Sequence, residues 1–294
     1  MPVEERKVLI IVGFIMVVGC VFGGYLIAGG HLMALVEPAA IEMLIIGGGA
    51  LGAFIAANSM TTAKAAMAAS LALLKAPRFG REEYIQLLKL LYELLMKMRK
   101  DGLMAIESHV DSPADSPIFQ KYPKVLADHH LVDFMTDCLR LMIGGNMAAH
   151  ELEAVLEAEL ETHHHEAAAP AHALQKVADA LPAFGIVAAV LGIVKVMSVV
   201  GSAPPSVVGA KVAAALVGTF LGILLGYGFV GPLAAAMEQR AHEDAKPLDI
   251  VKIALLSTVR GYAPQVALEF ARKQLLSGIR PSFADLESEL KAAR

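Results

Sequence analysis

Residues 178–200 read ADALPAFGIVAAVLGIVKVMSVV, and residues 212–236 read VAAALVGTFLGILLGYGFVGPLAAA. Each stretch is long enough to cross a membrane as a helix, which takes about 20 mainly apolar residues. Both are rich in Gly and Ala, which favours a pair of helices that pack closely against other helices. No Asp or Glu lies between Pro182 and Ala236. If this pair moves ions, the titratable carrier must therefore come from elsewhere.

The composition of the whole chain also indicates a membrane protein. Of its 294 residues, 56% are hydrophobic and 18% are charged, whereas soluble domains average roughly 45–50% and 25%. The windows that are apolar enough to span a membrane are residues 8–29, 40–58, 181–200 and 212–234. We therefore predict an all-α fold: a polytopic membrane protein with four transmembrane helices and a helical cytoplasmic domain.

The placement of basic residues predicts the topology. Of the 25 Lys and Arg residues, 12 lie between Thr61 and Asp179 and nine follow Met237, whereas the link at residues 29–39 has none. The positive-inside rule then places both termini and the long middle segment in the cytoplasm. The predicted order is a transmembrane hairpin at residues 1–59, a cytoplasmic helical domain at 60–179, a second transmembrane hairpin at 180–236 and a cytoplasmic helical tail at 237–294.

The middle segment and the tail have the periodicity of helices. Apolar residues recur every three or four positions between Tyr84 and Leu95, which predicts an amphipathic helix. A second helix is predicted at residues 131–143, and a third runs, with a break near Pro170, into the third span. The tail is predicted to form a helix over residues 249–276 with a kink or break at Pro264, followed by a charged, mobile end.

Small residues recur at four-residue spacing on several spans. They are Gly218, Gly222 and Gly226 in the fourth span, Gly185 and Ala189 in the third, and Gly48 and Gly52 in the second. Such ridges let helix backbones approach closely, which is how helices associate in lipid. The spacing leaves open whether this packing lies within one subunit or between subunits.

Two prolines fall at the same predicted level of the membrane. Pro182 begins the third span and Pro232 nearly ends the fourth, so both are expected at the cytoplasmic surface. Proline removes a backbone donor and bends a helix, and two such sites favour a hinge. Pro182 is equally typical of the first turn of a helix.

Polar side chains are rare in the spans. Thr219 lies among apolar neighbours in the fourth span, where it either lines a polar path or bonds to its own backbone. Lys195 and Lys211 are expected to reach the outer surface. Glu37 and Glu42 lie at the predicted outer mouth of the second span; an entrance role is open, but we expect solvated charges at a helix end.

The remaining charged clusters do not form a recognisable catalytic or metal site. The run at residues 97–101 is typical of a solvated helix face, as is Glu107 beyond it. The triplet His163–His165 cannot converge on one metal, because consecutive helix residues point about 100° apart. We predict no catalytic residues, no metal and no cofactor, and hence no enzyme.

Three segments resemble the MotA/PomA family of flagellar stator subunits, which is related to the ExbB/TolQ energisers. Leu181–Gly192 resembles the third span of that family, and Ala215–Leu233 resembles its fourth. Met98–Glu107 is similar to the segment that faces the rotor. The resemblance covers nearly the whole chain, and the two membrane motifs are highly specific.

The resemblance implies a function in the bacterial inner membrane. Five such subunits surround two copies of a MotB-type partner, whose single span carries an essential Asp and whose periplasmic domain grips peptidoglycan. Ions flow inward by way of that Asp, and the ring generates torque on the rotor protein FliG. The family then implies roles for Arg99 and Glu107 at the rotor, for Pro182 and Pro232 in coupling, and for Thr219 in the ion path.

The resemblance also bears on the ion. Sodium-type members carry a Thr seven residues after the proline of the third span, and here that position is Ala189. Sodium needs several oxygen ligands, whereas a proton needs only the Asp and water. The resemblance therefore implies proton coupling.

Other functions remain open at this stage. An ExbB/TolQ-like energiser would have three spans rather than four, and a non-flagellar member of the family would share all the motifs above. A substrate transporter would call for a broken helix or polar site at the midplane, which the third and fourth spans lack. A structural scaffold leaves the placement of the prolines and Thr219 unexplained.

Overall fold

The structure is a computed structural model that describes residues 3–75, 78–145 and 147–292, without the side chains of residues 3–7 and 292. Every regular element in these ranges is helical, as predicted. The α-helices are α1 (Val3–Ile27), α2 (Met33–Ala57), α3 (Met60–Ala72), α4 (Arg81–Asp101), α5 (Glu107–Asp111), α6 (Pro123–Leu126), α7 (His129–Gly144), α8 (Ala149–Met197), α9 (Pro205–Leu225), α10 (Gly231–Val259), α11 (Pro264–Lys273) and α12 (Phe283–Ala292).

Four of the described helices are long and apolar enough to cross a membrane, which confirms the predicted number. They are Val8–Ile27, Met33–Ala57, Ala149–Met197 and the continuous run Pro205–Val259. The second begins at Met33, seven residues before the predicted window. Pro38 lies inside its second turn, where the fixed φ of proline suits a helix and only one backbone hydrogen bond is lost.

The third span is part of a helix of 49 residues that contains Pro170 and Pro182. The predicted break near Pro170 is therefore wrong, and so is the interpretation of Pro182 as a first-turn proline. Ala168 and Ala171 are buried on either side of Pro170. Packing of this kind holds a helix together across a proline that would end an isolated one.

The chain divides into two compact units. The first, called here the four-span unit, comprises Met1–Ala76 and Ala168–Arg240; the second unit comprises Pro77–Ala167 and Ala241–Arg294. In the four-span unit, α2 packs mainly against α9. Glu42, Ile46 and Ala50 form its buried stripe, at the four-residue spacing that puts side chains on one helix face.

The second unit has a core of large apolar side chains. The predicted amphipathic helix is present as α4, whose buried face includes Leu87, Leu91 and Leu95. It ends at Gly102, where a φ of 88° requires the left-handed region that glycine adopts freely. The predicted helix at residues 131–143 is also present, as α7, and the Asp128 side chain caps it by accepting from the Leu131 N–H at 3.2 Å.

The tail is broken near Pro264, as predicted, but its end differs from the prediction. The helix that precedes the break is α10, which ends at Val259, and Pro264 is the first residue of α11. The last described residues form α12 rather than a mobile end. Leu286 and Leu290 are buried there, and Arg81 donates to Asp285 at 2.8 Å, so the end is held by apolar burial together with charge pairing.

Candidate functional site

The third and fourth spans cross with their backbones in contact. A methyl group at Gly185 would lie 2.9 Å from the Gly218 carbonyl oxygen and 3.4 Å from the Thr219 Cα. A methyl at Gly222 would lie 2.6 Å from the Leu181 carbonyl oxygen and 3.0 Å from the Gly185 Cα. Distances under 3.0 Å leave no room for a Cβ, so the small residues on both helices are what permits this approach.

The same crossing continues to Pro182. A Cβ at Gly226 would lie 2.6 Å from the Ala178 carbonyl oxygen and 2.9 Å from Cδ of Pro182. The ring of Pro182 therefore packs directly on Gly226, where the regular helix α9 gives way to a wider turn.

That wider turn is a π-helical segment, Gly226–Val230, directly ahead of Pro232. The Gly231 N–H donates to the carbonyl oxygen of Gly226, five residues earlier. Pro232 has no N–H, and in a regular α-helix its ring would clash with the carbonyl four residues before it. A π turn relieves that clash, and such turns are frequent at functional sites. The sequence signal was present, namely a proline inside an apolar, glycine-rich run, but the turn type was not predicted.

Thr219 lies half-buried at the same crossing. Within the described part of the chain its hydroxyl has no hydrogen-bond partner, whereas Thr162 and Thr258 each donate at 2.9 Å to the carbonyl four residues earlier. The interpretation in which Thr219 bonds to its own backbone is therefore wrong. Ala189, one turn beyond Gly185, is 9% exposed and contributes only a methyl group.

Glu42 joins this region from the second span. Its side chain is 8% exposed, and its carboxylate lies against the Cα position of Gly218. The expectation of a solvated charge at a helix end is wrong for Glu42, because α2 begins at Met33 and places Glu42 in its third turn. Glu37, by contrast, is exposed. The sequence would have indicated the burial of Glu42 only if the first residue of α2 had been predicted correctly.

Arg99 and Glu107, for which the resemblance implies a role at the rotor, lie on the surface of the second unit. Arg99 is exposed in the last turn of α4, and Glu107 is exposed at the start of α5. No ion pair to either residue is found among the residues that the structure describes. The neighbouring Lys97 does have a partner, Asp101, at 3.6 Å. Arg99 and Glu107 thus keep their charges available for another molecule.

The surroundings of Arg99 are partly apolar. Leu103 is 41% exposed and Met104 is 63% exposed. A cavity of about 440 Å³ opens beside Arg99, with Leu103 and Tyr262 in its wall. An arginine with exposed apolar and aromatic neighbours is typical of a protein–protein contact surface.

Two histidines of the second unit, His109 and His163, have a lowered pKa, and burial is the main cause in both. Burial, together with the neighbouring rings of His164 and His130, lowers the pKa of His163 below its usual value. Its Nδ1 is buried without a hydrogen-bond partner among the described residues. Protonation of His163 therefore opposes the folded state.

Comparison with known proteins gives matches along most of the chain. Residues 11–102 match the model "Motility protein A N-terminal", and residues 127–250 match the model "MotA/TolQ/ExbB proton channel family". The chain is 48% identical over 286 residues to motility protein A of Salmonella typhimurium, covering 97% of this chain and 96% of that protein. It is 46% identical over 288 residues to motility protein A of Escherichia coli, with the same coverage.

Solved structures share the fold. The MotAB stator complex of Bacillus subtilis matches with a TM-score of 0.69 at 23% identity, over 93% of this chain and 98% of that one. The MotAB structure of C. jejuni matches with a TM-score of 0.71 at 18% identity and the same coverage.

Proposed function

The chain belongs to the motility protein A family of flagellar stator proteins, within the MotA/TolQ/ExbB proton channel family, and we propose that with a MotB-type partner it couples inward proton flow to torque. It is a multi-pass membrane protein of the bacterial inner membrane and not an enzyme. The observation that carries the proposal is the crossing of the third and fourth spans, where the Thr219 hydroxyl has no hydrogen-bond partner among the described residues and no carboxylate lies between Pro182 and Ala236.

The carrier of the proton is then the partner's. No Asp or Glu lies between Pro182 and Ala236, so these two spans have no group that titrates in the physiological range and could relay a proton. A single-span partner with an intramembrane Asp supplies it, next to Thr219. Five copies of this chain surround two copies of the partner. A Cβ added at Gly48 or Gly52 would meet nothing within 4 Å among the described residues, so this ridge has room for contacts between subunits.

Coupling to motion runs through the two prolines. Pro182 packs on Gly226, and Gly226 begins the π turn that leads into Pro232. A shift of one helix past the other at this point would change the backbone hydrogen bonding of the turn. A packed element that has two discrete arrangements can convert a local event, such as the transfer of a proton, into a displacement of helices.

Torque is delivered through Arg99 and Glu107, whose charges are exposed and unpaired in the described chain. The partner surface is the charged face of the rotor protein FliG. Both termini and the second unit lie in the cytoplasm, which is supported by the basic residues at 61–179 and after Met237.

The test uses cells whose only stator is this chain with its MotB-type partner. Swimming speed is measured across a sodium titration at fixed pH and again with a protonophore. We expect speed to be flat in sodium and to collapse with the protonophore, because Ala189 offers no oxygen to a sodium ion. Speed that rises and saturates with sodium would overturn proton coupling.

A pair of variants at Thr219 tests the path itself. Thr219→Val keeps the shape and removes the hydroxyl, so it should slow swimming more than Thr219→Ser, which keeps it. Equal speeds in the two variants would show that Thr219 acts through packing alone.

A further inference from the structure

We propose that Glu42 is a proton-binding residue that this chain itself contributes to the ion path. It takes a proton from a cleft among the second, third and fourth spans and passes it on beside Thr219. The inference rests on the proposed function, since it adds a second acid to a path that the partner's Asp is proposed to serve.

The first observation is the burial of an acid within the second span. Glu42 is the tenth residue of α2, on the stripe that faces α9, and is 8% exposed. Its Oε2 has no hydrogen-bond partner among the described residues. A carboxylate at such a place is costly unless it is protonated or paired, and an ionisable residue within a span is a candidate for function for that reason.

The second observation is the space that Gly218 leaves for the acid. A Cβ at Gly218 would collide with Oε2 of Glu42 and would lie 3.2 Å from its Cδ. The same Cβ would lie 3.0 Å from the Cβ of Ala188 on the third span. Gly218 is thus where three spans meet, and it directly precedes Thr219. The carboxyl group therefore lies against the backbone of the proposed ion path.

The third observation is a cleft that opens onto Glu42. Its volume is about 240 Å³, which is room for several waters. The charged groups that line it are Glu42 from α2, Lys195 from α8 and Lys211 from α9; the other lining residues are apolar. Glu37, on the same helix as Glu42, is exposed.

The chemistry of the cleft selects a proton rather than a metal cation. A hard cation would need about six oxygen ligands, whereas the side chains of the cleft offer a single carboxylate. The ammonium groups of Lys195 and Lys211 would also repel a cation. A proton needs one acceptor and a chain of water. When protonated water donates to Glu42, one O–H bond breaks in the donor and one forms on the carboxyl group. The reverse transfer, to water or to the partner's carboxylate, restores Glu42 without any other change.

The experiment replaces Glu42 in the assembled complex. Glu42→Gln keeps the shape and removes the titration, Glu42→Asp keeps the acid, and Glu37→Gln is the control on an exposed acid of the same helix. Swimming speed against external pH is measured with each complex as the only stator, together with the amount of partner that co-purifies.

We expect Glu42→Gln to slow swimming severalfold and to flatten its dependence on external pH, with normal binding of the partner. Glu42→Asp should keep the pH dependence, and Glu37→Gln should behave as the unmodified chain. An unmodified speed and pH profile in Glu42→Gln would overturn the proposal. Loss of partner binding in Glu42→Gln would assign the carboxyl group to packing and would overturn it too.

The two proposals fail separately. If the protonophore stops the unmodified complex and Glu42→Gln swims normally, only the inference about Glu42 is wrong. If the unmodified complex is driven by sodium, the proposed function is wrong whatever Glu42 does.

Discussion

In the four-span unit the third and fourth spans touch backbone to backbone at their crossing, whereas in the second unit large side chains fill a core. Gly185, Gly218 and Gly222 meet with no room for a methyl group. In the second unit Leu87, Leu91 and Phe119 are fully buried. The difference follows from the solvent. Water drives apolar side chains together, but lipid does not, so helices in a membrane gain most from close backbone approach.

The largest effect is expected where a core side chain is truncated. Leu91→Ala in the second unit should destabilise that unit by about 2–5 kcal/mol, the usual range for a fully buried leucine. Resistance of the second unit to proteolysis in native membranes is the measurement. The control is Leu44→Ala in the four-span unit, whose side chain is 75% exposed and should matter little to the fold of the chain. Equal effects would contradict the comparison.

The reverse change tests the backbone contact. Gly222→Ala adds one methyl group 2.6 Å from the Leu181 carbonyl oxygen, and overpacking of this kind costs roughly 1–3 kcal/mol. Swimming and the amount of the chain in membranes should both fall. Gly209→Ala, on the same helix, meets nothing within 4 Å and serves as the control. A normal Gly222→Ala variant would mean that the spans separate more easily than the contact distances imply.

A smaller effect is expected at the exposed charges. Arg99→Glu should reduce torque more than Arg99→Lys, and a charge reversal on the rotor side should restore part of it. Each exposed contact contributes only about 0.2–1 kcal/mol, so single neutral substitutions should be mild. Lys291→Glu, on α12, is the control. Normal swimming of Arg99→Glu would show that this charge merely faces solvent.

The smallest effect is expected on the pH dependence of the stability of the second unit. The pKa of His163 is lowered in the folded chain, so below about pH 6.5 the unfolded chain binds more protons. The stability that neutral His163 contributes is complete above that pH and is lost as pH falls toward its folded pKa. Protease resistance should fall less on acidification in His163→Gln than in the unmodified chain, and His165→Gln is the control. An unchanged acid response would contradict this assignment.

Local features of the sequence predicted most of the elements. The length of the apolar windows indicated four spans, and the leucine periodicity at residues 84–95 indicated α4, because both depend on neighbouring residues only. The unbroken helix through Pro170 was not predicted, since it depends on packing around Ala168 and Ala171 that lies outside any local window. The end of the tail was missed for the same reason, because Leu286 is buried by residues distant in sequence.

The features of the candidate site also divide into those that the sequence predicted and those that it did not. Thr219 and the glycine ridge could be selected from spacing and from the family resemblance. The π turn at Gly226–Val230 could not, because a proline in a glycine-rich run fits a kink or a helix end as well as a π turn. The burial of Glu42 was not predicted because α2 begins seven residues earlier than the predicted span. Glu42 therefore lies inside the helix rather than at its solvated end.

The most direct test of the account measures proton uptake. Cells that make this chain alone, the MotB-type partner alone, or both are compared for acidification of the cytoplasm under an inward proton gradient. We expect acidification only with both proteins, because the crossing of the third and fourth spans has no carboxylate of its own and Glu42 is a single acid on one side of it. Acidification by this chain alone, at the rate of the complex, would contradict the account.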